Sequence, residues 1–225
     1  VRLEEFPVVN RAIVSIGFAV AILQLSCACN AAELSLADKI DILVRSYPET
    51  IKGVAGGHVA FMSTDEAVII DDGKARDHFQ KLESGDIEDS LQQVYPAGPC
   101  ETRPDVNFDP GRIRSERLMR VMYGDSAKQV KSNLVPVKWF GETLRVTRVN
   151  GVDKALGRVR DALAARPALL SYLSPSAGVF NWRTVAKQSN LSVHSFGAAI
   201  DLNTKFADYW VWSGGKPGKV PVYKN

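Results

Sequence analysis

Cysteine, histidine and net charge are all scarce in this 225-residue chain. Its three cysteines are Cys27, Cys29 and Cys100. The first two fall in a segment expected to be removed, which leaves Cys100 alone and rules out an internal disulfide. Cys100 sits in a Pro/Gly-flanked loop with no histidine near it in sequence, so it reads as a bystander rather than a nucleophile. A formal charge of +3 is too weak to argue for nucleic acid, and no Lys/Arg-rich run with interleaved aromatics supports such a partner. No Gly-x-Ser-x-Gly elbow is present, which counts against a serine hydrolase. Internal repeats and a convincing linker are missing too. The longest apolar run falls short of the roughly 20 residues that a membrane span needs.

What is present begins with that apolar run. Arg2 and Arg11 precede apolar residues 12–25, and small residues follow from Cys27 to Ala32. A basic start, an apolar centre and a small-residue exit are the layout of a secretory signal peptide. The expectation is a signal over 1–31, cleaved near Ala31 or Ala32, and an exported protein, periplasmic or extracellular. An uncleaved anchor is the alternative; the residues before Cys27 and Cys29 make a poor lipobox. The remainder is ordinary globular sequence, 45% hydrophobic and 24% charged. It divides into an N-terminal elaboration over 32–110 and a catalytic-type domain over 111–225.

Leu36, Ile40, Leu43 and Val44 recur at helical spacing and Tyr47-Pro48 ends the pattern. Gly53, Gly56 and Gly57 loosen the chain before a strand over 58–62. A second short strand over 67–70 runs into the turn signal Asp71-Asp72-Gly73. Helices are expected over 78–82 and 87–94. Residues 96–110, rich in Pro, Gly and Asp, form a loop. Ile113, Leu118, Val121 and Met122 face inward from a further helix, and Asp125 or Ser126 caps the next, which runs to about Leu134. Leu144 and Val146 alternate with Arg145 and Thr147 in a half-buried strand. Val152, Leu156, Val159 and Leu163 define an amphipathic helix. Residues 178–183 form a loop or short strand, and residues 220–223 are a possible last strand.

The chemistry concentrates in 192–203, Ser-Val-His-Ser-Phe-Gly-Ala-Ala-Ile-Asp-Leu-Asn. His194 is followed seven residues later by Asp201, inside an apolar run that reads as a short buried strand. A buried carboxylate is costly unless paired or metal-bound. Gly197 lets the chain turn between the two. Imidazole and carboxylate are both zinc ligands, and a catalytic site uses three such protein ligands plus water. A hydrogen-bonded structural pair is the competing reading. Ser192 would share the strand face of His194, to touch substrate or steady the imidazole. Arg183 offers a fork that matches a carboxylate; near zinc it would bind substrate or polarise a carbonyl. His58 and His78 each stand alone.

Residues 192–202 resemble the zinc-binding motif of the D-alanyl-D-alanine carboxypeptidase (VanY-like) and L-alanyl-D-glutamate peptidase family of peptidoglycan hydrolases. Gly178-Val-Phe-Asn-Trp-Arg183 looks like the family segment whose arginine faces the substrate. Asp109-Pro-Gly-Arg-Ile-Arg114, Met122-Tyr-Gly124 and Val146-Thr-Arg-Val-Asn-Gly151 look like an exported subgroup. The resemblance covers roughly 47–212. It implies an α+β fold, with a small antiparallel sheet carrying the metal site and helices on its outer face, as in hedgehog and D-Ala-D-Ala metallopeptidases. It implies zinc held by His194 and Asp201, with Arg183 as the substrate and oxyanion-stabilising arginine and Ser192 lining the cleft. The substrate implied is a peptidoglycan stem peptide, acted on by a monomer. Family members add an acidic residue and, three positions on, a third ligand histidine; no histidine follows His194, and Asp208 lacks that partner. A sequence cut short of this segment is the expectation, and a non-catalytic cell-wall-binding domain with a degenerate site is the alternative.

Overall fold

The computed structural model describes residues 34–95, 105–207 and 214. The expected export signal, Cys100, Asp208 and the strand over 220–223 lie outside the described residues. Two small antiparallel sheets and seven α-helices give a mixed α+β architecture among the described residues.

Helix α1 (Leu36–Ser46) starts on Ser35, whose hydroxyl accepts the Asp38 N–H while the Asp38 carboxylate accepts from the Ser35 N–H at 3.1 Å. This reciprocal pair satisfies two orphan donors of the first turn. Strands β1 (Ile51–Ala55), β2 (His58–Phe61) and β3 (Ala67–Ile69) follow in simple order. Strand β1 was not expected from sequence, and the glycines that suggested a loose segment explain why. Gly56 and Gly57 have φ of +56° and +75°, the two positive values that a two-residue hairpin turn requires. Gly53 sits at the register shift between β1 and β2.

Helices α2 (His78–Ser84), α3 (Ile87–Ser90), α4 (Glu116–Tyr123) and α5 (Ala127–Ser132) come next. The expected helix over 87–94 is therefore a single turn, ending at Leu91 with φ of −100° and ψ of 1°. The helix expected to reach Leu134 also stops earlier, at Asn133. Leu134 instead opens β4 (Leu134–Trp139), which pairs antiparallel with β5 (Glu142–Thr147) from Leu134 opposite Thr147 to Trp139 opposite Glu142. Val135 and Val137 carry the strand preference that outweighed the helical continuation. Helix α6 (Val152–Ala164) packs on this hairpin, and α7 (Leu170–Leu173) follows.

Two apolar clusters hold these layers. In one, Ile40, Val59, Phe61, Ile87, Val130 and Phe196 are buried together between α1, the three-stranded sheet and the short helices. In the other, Val137, Trp139, Leu144 and Val146 of the hairpin meet Leu173 and Val179, with Leu156 and Leu163 of α6 packed against them. The indole N–H of Trp139 donates to the Leu173 carbonyl at 2.9 Å, so the buried ring leaves no donor unpaired. One hairpin face thus belongs to α6. At the base of the other, Leu134 and Thr147 meet Gly197. No helix among the described residues is long and apolar enough to cross a membrane.

Candidate metal centre

His194 is carried by a 3-10 turn, Val193–Phe196, pinned from several sides. Ser192 caps its start, with Oγ accepting the His194 N–H at 3.4 Å. Gly197 closes it at φ +67°, donating to the His194 carbonyl at 3.1 Å and accepting from the Thr147 N–H at 3.0 Å. A Cβ at 197 would lie 2.5 Å from Leu134 Cδ2, so both the backbone angle and the hairpin demand glycine. Ser195, fully buried, accepts the Arg183 N–H at 2.9 Å and donates to the Arg183 carbonyl at 2.8 Å. Phe196 enters the first cluster beside Tyr123, ring centres 6.0 Å apart.

The imidazole thus projects from a fixed base. His194 Nδ1 lies 2.7 Å from the Val179 carbonyl, which only accepts, so Nδ1 carries the hydrogen. The other ring nitrogen, Nε2, faces Asp201 Oδ2 at 3.3 Å. Asp201 is placed by the neighbouring residue of the same segment: its N–H donates to the Gly178 carbonyl at 3.0 Å, and its carbonyl accepts from Ala177 at 2.9 Å. Two consecutive residues, Gly178 and Val179, therefore fix the main chain of Asp201 and the ring of His194. A proton on Nε2 or a bound cation would each bridge these two atoms. A charge-assisted N–H···O bond prefers about 2.7–2.9 Å. Tetrahedral zinc with bonds near 2.1 Å sets its ligand atoms about 3.4 Å apart.

The surroundings of Asp201 differ from the expectation. Residues 198–202 are not a buried strand: Asp201 makes a single bridge to Gly178, and its side chain is 56% exposed. The apolar letters around it misled, because Ala198 and Ile200 pack only partly against the two clusters and Leu202 is exposed. Ser192 does not share a strand face with His194. It is buried and acts through its cap, steadying the histidine's backbone. The main chain of Arg183 is fastened to the turn by Ser195 and by the Ser192 N–H at 2.9 Å. Its guanidinium is exposed, and Nη1 reaches only the Thr184 carbonyl at 3.4 Å.

Among the described residues, no third His, Cys, Asp or Glu joins His194 and Asp201 within ligand distance. His58 Nδ1 bonds the Gly56 carbonyl at 2.8 Å, and His78 sets its ring edge-on to Phe79. Two acidic groups do converge, Asp71 with Asp72 and Asp86, and Asp86 with Glu88 and Asp89. Sequence reasoning read only a turn there. Asp72, Asp86 and Asp89 are already met by cationic side chains. Arg76, its side chain 9% exposed, bonds Asp72 at 2.5 Å and Asp89 at 3.2 Å, and Lys81 reaches Asp89 at 3.1 Å. Hydrogen bonds from Arg76 and Lys74 hold the Asp72 carboxyl well below the usual carboxylate range. Asp86 also caps α3 and accepts the Asp72 N–H at 2.9 Å. This is an ion-pair network that fixes the loop over 71–77.

Comparison of the chain with protein-family models, with curated proteins and with solved structures finds no match.

Proposed function

We propose that this protein is an exported zinc peptidase that hydrolyses peptide bonds in peptidoglycan stem peptides, on a scaffold of the hedgehog and D-Ala-D-Ala metallopeptidase kind. The observation that carries the reading is the His194–Asp201 pair. Its Nδ1 is held by Val179, its two facing atoms stand 3.3 Å apart, and one segment positions both residues. His194 and Asp201 hold the zinc. Bound there, zinc supplies Lewis acidity that polarises a carbonyl and brings the pKa of water towards about 7. Val179 does what an outer partner of a metal histidine does, fixing ring orientation and raising Nε2 basicity. Arg183, exposed on a backbone locked to the turn, stabilises the carbonyl oxygen as it gains charge.

The test is direct. Metal-loaded wild-type protein cleaves defined stem peptides, His194→Ala does not, and Arg183→Ala lowers turnover while keeping the metal. Loss of zinc in Arg183→Ala would remove that arginine from the substrate side. Full hydrolysis by His194→Ala or by metal-stripped protein would overturn the peptidase.

A second reading rests on the ligand count. With two protein ligands among the described residues, a non-catalytic domain that binds cell-wall peptides is favoured if wild-type protein binds stem peptides and never cleaves them.

A further inference from the structure

The residues that aim His194 and Asp201 also form one wall of a groove. It measures about 430 Å³ and lies between β5, α5 and the segment over 178–180. Gly178 and Val179 thus serve the metal pair with their carbonyls and the groove with their other side. Phe180 lines it, and the Lys131 ammonium from α5 stands over that ring, 5.9 Å from its centre. Arg145 of β5 lines it as well. Lys131 and Arg145 are exposed, and among the described residues neither forms an ion pair. The groove therefore joins an apolar wall to two uncompensated cations.

Its third property is main-chain direction. Within a strand, successive N–H and C=O groups alternate sides. The Thr147 N–H leaves the hairpin to reach Gly197, whereas the next N–H, of Arg148, points back to Asn133 beside β4. Counting back by twos from Thr147, the N–H and C=O groups of Arg145 and Thr143 point away from β4. Both residues line the groove. At Thr143 and Arg145 this edge is unpaired among the described residues, and an open edge of this kind can take an extended peptide as an added strand, while pockets beside it read side chains.

We propose that an extended, carboxylate-bearing peptide adds to the β5 edge at Thr143 and Arg145, with its carboxylate held by Lys131 and Arg145, which sets the register of the chain entering the metal pair. The proposal deepens the peptidase reading and rests on it for the identity of the peptide. Stem peptides meet both demands. They are short and extended, and a D-glutamate linked through its γ-carboxyl leaves the α-carboxylate free.

The experiment measures equilibrium binding to the full chain carrying His194→Ala, so that cleavage does not interfere. The ligands are an L-alanyl-γ-D-glutamyl stem peptide and its α-amidated counterpart. The free acid is expected to bind roughly five- to tenfold more tightly at low salt, the range of two exposed charge contacts. The difference should fade as salt screens the pair and vanish in Lys131→Ala/Arg145→Ala. Amide hydrogen exchange at Thr143 and Arg145 should slow on binding while that of Val146 stays unchanged. Equal affinity for the acid and the amide, or no binding, would overturn the charge contact. Unchanged exchange at Thr143 and Arg145 would overturn the added strand. Wild-type protein that binds the peptide in this manner yet leaves it uncleaved would refute the peptidase reading and leave the groove standing.

Discussion

Asp89 in α3 and Asp201 beside the 3-10 turn are both carboxylates facing nitrogen, but their surroundings oppose each other. Asp89 is 4% exposed and takes Arg76 at 3.2 Å and Lys81 at 3.1 Å, both permanent cations near neutral pH. Asp201 is 56% exposed and faces a single imidazole whose Nδ1 is taken by the Val179 carbonyl. The first carboxylate is compensated by the chain itself, and an added cation would meet Arg76 and Lys81 at close range. The second faces one imidazole nitrogen and solvent, which leaves room for an added cation. Counting acidic residues points to the first corner of this molecule, and asking which carboxylates lack a cationic side chain fixed against them points to the second.

The comparison predicts opposite losses from similar substitutions. The largest concerns stability. Asp89→Ala leaves Arg76 and Lys81 partly unpaired in a buried setting and should cost on the order of 3 kcal/mol, read from denaturant unfolding, with zinc binding unchanged. A zinc affinity that fell with it would mean that the acidic corner, not the histidine turn, holds metal. Gly197→Ala comes next. The new Cβ meets Leu134 and the positive φ is strained, so a loss of about 2 kcal/mol is expected. Because the distortion acts on the turn, zinc affinity should drop as well, unlike in Asp89→Ala.

The smallest effect is on pH dependence. The Asp72 carboxyl is held low by Arg76 and Lys74, and Glu142 by Ser174 and Ser176. A carboxyl whose folded pKa is depressed stabilises the protein above its unfolded pKa, near 4, and that contribution disappears as pH falls through the folded value. Asp72→Asn should therefore flatten the decline in stability below about pH 4 and leave the neutral region nearly level. An unchanged acid limb would show that the Arg76 network is not coupled to folding.

Much of the frame was legible in the letters. The amphipathic runs of α1 and α6 and the alternation of β5 announced themselves, because a single face of each packs inward. Strand β1 was missed because Gly53, Gly56 and Gly57 signal a loose chain as strongly as they signal a bulge and a hairpin turn. Strand β4 was missed because Val130 and Leu134 continue a helical spacing until Asn133 ends it. At the site, the spacing of His194 and Asp201 and the glycine between them were readable, but the exposure of Asp201 was not. Apolar neighbours imply burial only when something packs on both sides of the chain. The role of Val179 was invisible, since a carbonyl fifteen positions away carries no side-chain signal. The Arg76 network escaped for a related reason, as Asp71-Asp72-Gly73 resembles any turn until Asp86 and Asp89 are folded beside it.

Zinc titration of the metal-stripped full chain, followed by equilibrium dialysis and metal analysis, tests the central claim most directly. Wild type and Asp89→Ala should each hold about one zinc per chain, while His194→Ala and Asp201→Ala lose it. Zinc retained by His194→Ala, or lost only from Asp89→Ala, would contradict the assignment of the metal to the histidine turn.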